Sequence, residues 1–449
     1  MPELRTIPGP KGHWFMGSIN DMRRDVLGFY SKAQKEYGDY LRFRAPLGFK
    51  WHAFSSPDAI HHILVKNHSN YTKGAHWTRA VSMLGGNGLV TSQGEFWQKQ
   101  RKLMSPTFHR ERVIGFADTM VATATEVTKE WNAEAGKEKD FYSEMMRLTL
   151  RIICKVIFSI DISAKENELG KIVTESFDYV NYRVFHPFAA PLWMPTPRNL
   201  HFRKTSKALD DYVYEIIAAR RSSGGDEKDV LSMLMAERHE EDNAAMTDKQ
   251  LRDEVVTLMI SGHETLSCTL AWVWYLLATN PQEEEKLKSE LDTILGGKQA
   301  RFEDIAQLKY TRMVLDESMR LYPAAWAIPR YAENDDEIEG YKIKKGSIIA
   351  LLTSVTQRDP KYWDKPNEFN PENFTEDKIS KRPKYAYYPF GGGPRQCIGI
   401  QIALMEGVLV LATLMQHYKP ALPENYRVKE EVSFTLKPKD GLRVILEKR

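Results

Sequence analysis

Cysteine is scarce in this chain. Cys154, Cys268 and Cys397 are the three cysteines among 449 residues, far apart and with no C-x-x-C pair. That excludes a disulfide framework and the paired-cysteine patterns of iron–sulfur proteins, and it fits a reducing, cytoplasmic compartment. Net charge is nearly absent as well: 63 Lys plus Arg stand against 60 Asp plus Glu, a formal +3. So even a balance excludes bulk nucleic-acid binding and a polybasic membrane role, and any charged partner must meet a local patch. Long uncharged apolar runs are missing, and the opening Met-Pro-Glu-Leu-Arg-Thr-Ile-Pro-Gly-Pro-Lys-Gly holds no apolar stretch of a signal segment. A soluble protein with no integral membrane span is expected. No internal repeat occurs, nor a G-x-G-x-x-G after a strand pattern, nor a Walker-type phosphate loop. The length allows two or three ordinary domains or one large core.

Helical periodicity is what the chain has in quantity. Apolar spacing predicts helices over 21–37, 59–66, 95–102, 113–134, 142–158, 168–182, 247–278, 281–295 and 310–321, and an apolar run fills 400–418. Short strands are expected at 40–43 and 51–54 around a Gly48 turn, and pieces at 343–352 and 432–444 complete a small sheet. Pro8-Gly9-Pro10 makes a stiff entry, the glycine-rich 84–88 reads as a flexible loop, and 222–226 and 243–247 interrupt the helices. Residues 185–195, Phe-His-Pro-Phe-Ala-Ala-Pro-Leu-Trp-Met-Pro, are apolar and proline-broken, as in a loop packed on the core.

Several stretches carry chemistry. Glycines and a proline in Phe390-Gly391-Gly392-Gly393-Pro394-Arg395-Gln396-Cys397-Ile398-Gly399 force a tight loop that brings one cysteine to the start of a helix. Helix-terminal amides, the macrodipole and Arg395 all favour a thiolate there. The loop holds no second cysteine or histidine to complete a structural zinc site, so a single axial bond to a haem iron suits the sulfur better. In the 247–278 helix, Thr247 is the expected N-cap with Gln250 three residues on, while Arg252, Glu254, His263 and Glu264 exclude a membrane span. Its middle reads Ser261-Gly262-His263-Glu264-Thr265. Gly262 lets another group approach the backbone, and the Thr265 hydroxyl can bond a carbonyl one turn back and loosen the helix. A satisfied polar kink and a proton relay both fit that pattern. Trp97 and Arg101, one turn apart, read in isolation as a surface indole under an arginine stem, and Glu317 with Arg320 is a common pair on one helix face.

Taken together these residues acquire a family. Phe390, Gly393, Arg395, Cys397 and Gly399 stand at F-x-x-G-x-R-x-C-x-G, and the stretch resembles the haem-binding loop of the cytochrome P-450 family. Ser261 to Leu266 resembles that family's oxygen-activation motif, with Ser261 in place of Ala or Gly and Leu266 in place of Thr or Ser. Glu317 and Arg320 match its E-x-x-R, and 366–374 resembles its P-x-x-F-x-P-x-R-F, with Asn373 where Arg is commonest. The resemblance implies that the Glu317–Arg320 pair clamps this meander, with a neutral amide completing the clamp. It also implies that Trp97, Arg101, Arg330 and Arg395 hold haem propionates, that Phe390 belongs to the cofactor site, and that 185–195 forms a lid over the substrate entrance. Residues 326–328 read equally as pocket lining and as a short core strand.

The expected fold is therefore mainly α with a minor β portion: the cytochrome P-450 fold in a soluble, bacterial-like form. Residues 1–449 form a single haem domain with its small β-rich part mainly from 38–56, 338–355 and 424–447. The resemblance implies a haem-thiolate monooxygenase carrying haem b (iron protoporphyrin IX), with Cys397 as the metal ligand and Glu264 and Thr265 as the proton-delivering pair. It acts as a monomer, inserting one oxygen atom of O2 into a lipophilic substrate. NAD(P)H-derived electrons arrive through a separate ferredoxin- or flavodoxin-type donor, for which Lys99, Arg101, Lys102, Arg110 and Arg112 form a candidate patch. A peroxide-driven peroxygenase and a non-catalytic haem-thiolate sensor or carrier are the alternatives.

Overall fold

Thr247 and Gln250 open the chain's longest helix, Asp248–Thr279, by capping each other's backbone amides. The computed structural model describes residues 6–13, 16–44, 50–186, 188–223, 229–238 and 245–449. The Gly48 turn, 224–226 of one expected interruption and 243–244 of the other lie outside them. The chain divides into two units, one of Met1–Ala75, Met313–Cys397 and Glu430–Lys437, the other of His76–Arg312, Ile398–Lys429 and Pro438–Arg449.

The first unit holds most of the strands. Its sheet runs in the order Tyr40–Arg44, Lys50–Phe54, Ile348–Leu351, Ile328–Ala332 and Tyr71–Thr72, with one parallel pairing, Lys50–Phe54 against Ile348–Leu351. Tyr40, Phe54, Tyr71, Ile349 and Leu351 of the sheet join Ile60, Ile63, Tyr385 and Tyr388 in a buried cluster. The strand expected over 343–352 is two strands in two sheets, because Gly346 at φ +83° turns the chain between Tyr341–Ile343 and Ile348–Leu351. Residues 326–328 divide the same way: Ile328 begins a sheet strand, and the Trp326 indole donates to the Ser433 carbonyl at 2.9 Å. The helix expected over 21–37 is broken at Asp25, whose extended backbone lets its carboxylate cap the amide of Gly28.

The second unit is helical. Asp248–Thr279 packs on Phe141–Phe158, and Ile400–His417 packs on Ala117–Trp131. A Cβ on Gly262 would lie 2.7 Å from the Cδ1 of Ile153, so the group that approaches this glycine is a side chain of the neighbouring helix. The helix runs unbroken through residues 261–265. The expected C-terminal strand over 432–444 also divides, and its last part, Arg443–Lys448, joins Glu138–Asp140 and Tyr418–Ala421 in a three-stranded sheet of this unit. The turn at Asp440 and Gly441, both at positive φ, separates it from Leu436–Pro438. Beyond 38–56, 338–355 and 424–447, expected to supply most of it, the β portion also takes in Tyr71–Thr72, Glu138–Asp140, Ile328–Ala332 and Tyr418–Ala421.

The glycine-rich 84–88 stretch is not a free loop. The amides of Asn87 and Leu89 donate to Asp253 and Glu254, each at 2.9 Å, and Cβ atoms on Gly86 or Gly88 would overlap Asp253 and Thr257. Its glycines serve close contact with the long helix. Nor does 185–195 pack wholly on the core, since Phe188 and Trp193 stand exposed.

Ile400–His417 has the length and apolar composition to cross a membrane, yet 67% of it is buried within the protein. It also carries Glu406, which is buried with Oε1 unpartnered. Burial pushes this carboxyl up to about 8. The folded chain therefore keeps a proton that the unfolded chain loses near pH 4.5, and this contribution to stability declines as pH rises from there through 8. Glu406→Gln should gain on the parent by about 1.4 kcal/mol for each pH unit across that interval. Urea unfolding of both proteins at pH 5.5 and 7.5 measures it, and an equal difference at the two pH values would contradict the assignment.

Candidate active site

The cysteine loop belongs to the first unit and is set by backbone geometry. Gly391 and Gly393 lie at φ +70° and +65°, where a side chain is strained, and a Cβ on Gly393 would come within 1.8 Å of the Leu64 carbonyl oxygen. A Cβ on Gly392 would meet the Tyr385 ring at 2.5 Å. The loop closes when the Cys397 amide donates to the Phe390 carbonyl at 3.0 Å. Of the three cysteines, Cys154 and Cys268 are buried and Cys397 is exposed. Burial pushes the Cys154 thiol up to about 12, so it is inert as a ligand or nucleophile.

Cations gather in the same unit. Arg330 is buried on the strand Ile328–Ala332, and loss of water pulls its guanidinium down to about 10. The Lys73 ammonium is held well below its usual value by desolvation and by repulsion from Arg395 and Arg330. Lys73 thus joins the two arginines that the sequence singles out. Nothing in its Tyr-Thr-Lys-Gly context marks it, because the signal is spatial.

Behind the loop, Glu317 and Arg320 are fully buried and paired through two hydrogen bonds of 2.6 and 2.7 Å. The remaining Arg320 donors reach the carbonyls of Gln357, Pro366 and Glu368, at 2.9, 2.7 and 3.0 Å. Glu317 also accepts from the Asn370 amide at 2.8 Å and from the Asn373 side chain at 3.1 Å. The neutral amide expected from the sequence does take its place. Arg382, which the sequence did not single out, supports it: its guanidinium lies 3.6 Å from the Trp363 ring centroid and donates to the Asn373 carbonyl at 2.6 Å. Gln357 in turn accepts from the Tyr388 amide, two residues before Phe390, and Tyr387 donates to Asp316.

In the second unit, Trp97 is buried and Arg101 half-buried on the helix Gly94–Met104, while Lys99, Lys102, Arg110 and Arg112 are exposed. Between Leu251 and Trp274, where the Asp248–Thr279 helix is otherwise buried, Ile260, Ser261, Gly262 and Thr265 are exposed or half-buried, and Ser261 and Thr265 share a face. As expected, the Thr265 hydroxyl donates to the carbonyl one turn back, that of Ser261, at 2.8 Å. Glu264 is buried, and Tyr142 feels it: the phenol is raised by burial, then by Cys268 and Glu264. Neighbours in sequence, Glu264 and Thr265 therefore project in different directions around the helix. Burial lowers His263 to about 4 and its Nδ1 donates to the Met259 carbonyl, so it stays neutral at physiological pH.

Residues 7–444 match the sequence profile of the family described as Cytochrome P450. The chain belongs to the cytochrome P-450 family. It is 31% identical to the cyclooctatin synthase of Streptomyces melanosporofaciens over 99% of this chain and 96% of that protein. It is 30% identical to the pentalenene oxygenase of Streptomyces avermitilis, over 97% and 95%. Among solved structures, the cytochrome P450DA heme domain superposes with a TM-score of 0.92 at 25% identity, covering 100% of this chain and 98% of that one. The fold is the mainly α cytochrome P-450 fold with a minor sheet portion, and the protein is a haem-thiolate monooxygenase, an oxidoreductase that uses O2. The residues present fit its cofactor. The exposed Cys397 suits an axial thiolate, and the clustered Lys73, Arg330 and Arg395 suit carboxylates.

Arg382 generates a test. Arg382→Ala removes the donor of the Asn373 carbonyl and a cation from the Trp363 face, which should cost about 2–3 kcal/mol. Adding Asn373→Arg should recover part of that by placing a guanidinium beside Glu317. Urea unfolding of both variants decides it, and a loss below about 0.5 kcal/mol would deny Arg382 this role.

Proposed function

We propose that Cys397 would bind the iron of haem b through its sulfur, that Trp97, Arg101, Arg330 and Arg395 would receive the propionates, and that Phe390 would line the cofactor site. The reading of residues 1–449 as one haem domain is part of this proposal. The observation that carries it is the exposed thiol on a loop where Gly392 and Gly393 cannot be replaced without collision and Gly391 not without backbone strain. When bound, the haem supplies the activation of O2 by which one oxygen atom enters the substrate. The chain's own residues do the rest. Main-chain contacts hold the sulfur in place, guanidiniums and an indole N–H orient the cofactor's carboxylates, and Glu264 and Thr265 carry protons to the reacting oxygen. Side chains facing the substrate exclude water and favour a lipophilic molecule, which is inserted upon by hydroxylation. The open face at Ser261, Gly262 and Thr265 supports the proton role, since it opens the buried middle of the helix.

Purified, reduced protein exposed to carbon monoxide should show the far-red-shifted Soret band of sulfur ligation, and Cys397→Ser should abolish that band. A persistent band in the variant, or a colourless parent after full porphyrin supply, would reject the assignment.

Electrons come in this reading from NAD(P)H through a separate ferredoxin- or flavodoxin-type protein that meets Lys99, Arg101, Lys102, Arg110 and Arg112 on a monomeric chain. Exposure of Lys99, Lys102, Arg110 and Arg112 supports the patch, although Arg112 also lies 3.4 Å from Glu237. Reversing charge at Lys99 and Lys102 should slow electron transfer about ten-fold while leaving haem content intact, with a loss that shrinks at high salt. Stopped-flow reduction with the donor measures this, and an unchanged rate rejects the patch.

A further inference from the structure

Two histidines stand side by side where a short helix abuts the cysteine loop, and they have different partners. The helix Pro57–His61 widens into a π turn over His62–Lys66, closed by the Asn67 amide donating to the His62 carbonyl at 2.9 Å. Turns of this kind are rare, and those that occur are frequently found at functional sites. This one is gripped from outside at both ends.

A single carboxylate does the gripping. Asp336 Oδ2 accepts from His62 Nε2 at 2.8 Å, from the Asn67 side-chain amide at 3.0 Å and from the Tyr71 hydroxyl at 2.5 Å. His62 and Asn67 are the same two residues that the i to i+5 bond joins, so main chain and side chain fasten one pair together. Hydrogen bonds to an ionised acceptor are the stronger kind. The other Asp336 oxygen takes the Glu337 amide at 2.8 Å, which steadies the carboxylate on the hairpin of Asp336–Ile338 and Tyr341–Ile343.

Within the turn, the Leu64 carbonyl oxygen would lie 1.8 Å from a Cβ on Gly393, so the main chains of turn and loop are in direct contact. His61 adds a second contact. Its ring stacks on Tyr385 with 5.4 Å between centroids and 17° between planes, and Tyr385 is the ring that denies Gly392 a side chain. An α-helical path through these residues would rotate Leu64 about the helix axis, because its hydrogen bonds would span i to i+4 in place of i to i+5. The carbonyl would then leave Gly393.

We propose that His61, His62 and Asp336 are positioning residues for the Cys397 sulfur: they hold the π turn in shape, and the turn seats the two glycines from which the cysteine hangs. The Glu317–Arg320 clamp reaches the loop through Gln357 and Tyr388, ahead of Phe390. The turn reaches it at Gly392 and Gly393, nearer the sulfur in the chain. This inference rests on the reading of Cys397 as the iron ligand. A slack turn lets the sulfur draw back, which weakens its electron donation and raises the reduction potential.

Haem-loaded full chain with His62→Ala or His61→Ala is compared with His62→Gln, which keeps a side-chain donor, and with His61→Phe, which keeps a stacking ring. Spectroelectrochemical titration reads the reduction potential. Carbon monoxide added to the reduced protein reads the share of the far-red-shifted Soret band, before and during mild warming. Both alanine variants should move the potential upward and lose that band at least about three-fold faster than the parent, while the Gln and Phe forms should track the parent. Far-ultraviolet circular dichroism checks that each variant keeps the parent's fold. Folded alanine variants with the parent's potential and rate of band loss would overturn the proposal, and so would Gln and Phe forms that behave as the alanine ones do. A parent without the band would fail the reading of Cys397 itself; a parent with the band and unresponsive variants would fail this inference alone.

Discussion

Arg320 has five N–H donors, and all five are spent inside the protein. Two hold Glu317, and three hold carbonyls of a loop that has no regular structure of its own to satisfy them. A guanidinium so placed is costly to bury and would be strongly destabilising with any partner removed, typically by about 3–5 kcal/mol. Its value lies in geometry. It fixes Gln357, Gln357 fixes Tyr388, and two residues later the cysteine loop begins. The position of the Cys397 sulfur is thus an outcome of a helix that lies more than seventy residues earlier in the chain.

Glycine completes what the arginine begins. Once Leu64 and Tyr385 are packed against the loop, Gly392 and Gly393 have no room for a side chain, so the loop has one backbone path open to it. The long helix of the second unit applies the same economy elsewhere. Asp253 and Glu254 hold the Gly86-to-Leu89 stretch by its amides, and Gly262 admits Ile153 of the adjacent helix. Buried polar groups and missing Cβ atoms, more than apolar area, decide which segments touch which.

Much of this was legible in the sequence because it is local. The Thr247 capping pair, most of the helix periods and the turn of the Cys397 loop depend on residues close together in the chain and were legible there, while the Glu317–Arg320 clamp, whose partners lie some fifty residues on, was legible only through the family resemblance. What was illegible depends on residues far apart. Lys73 gains meaning from Arg330 and Arg395, and Arg382 from Trp363 and Asn373, and no period or motif links them. Positive-φ turns divided two strands that hydropathy ran together, at Gly346 and at Asp440 with Gly441. The 84–88 glycines were misread for a related reason: composition shows that a chain can bend, and says nothing of what it bends against.

The open face of the long helix has a polarity of its own. The Ser261 hydroxyl gives its hydrogen to the Thr257 carbonyl at 2.6 Å, and the Thr265 hydroxyl gives its own to the Ser261 carbonyl. A hydroxyl has one hydrogen to give, so in this arrangement both oxygens turn lone pairs alone toward whatever occupies the face. A visiting water or alcohol must then arrive hydrogen-first, and an ether or ketone finds no donor from either side chain. The serine that stands where the family commonly has Ala or Gly thus adds an acceptor to this face and no donor.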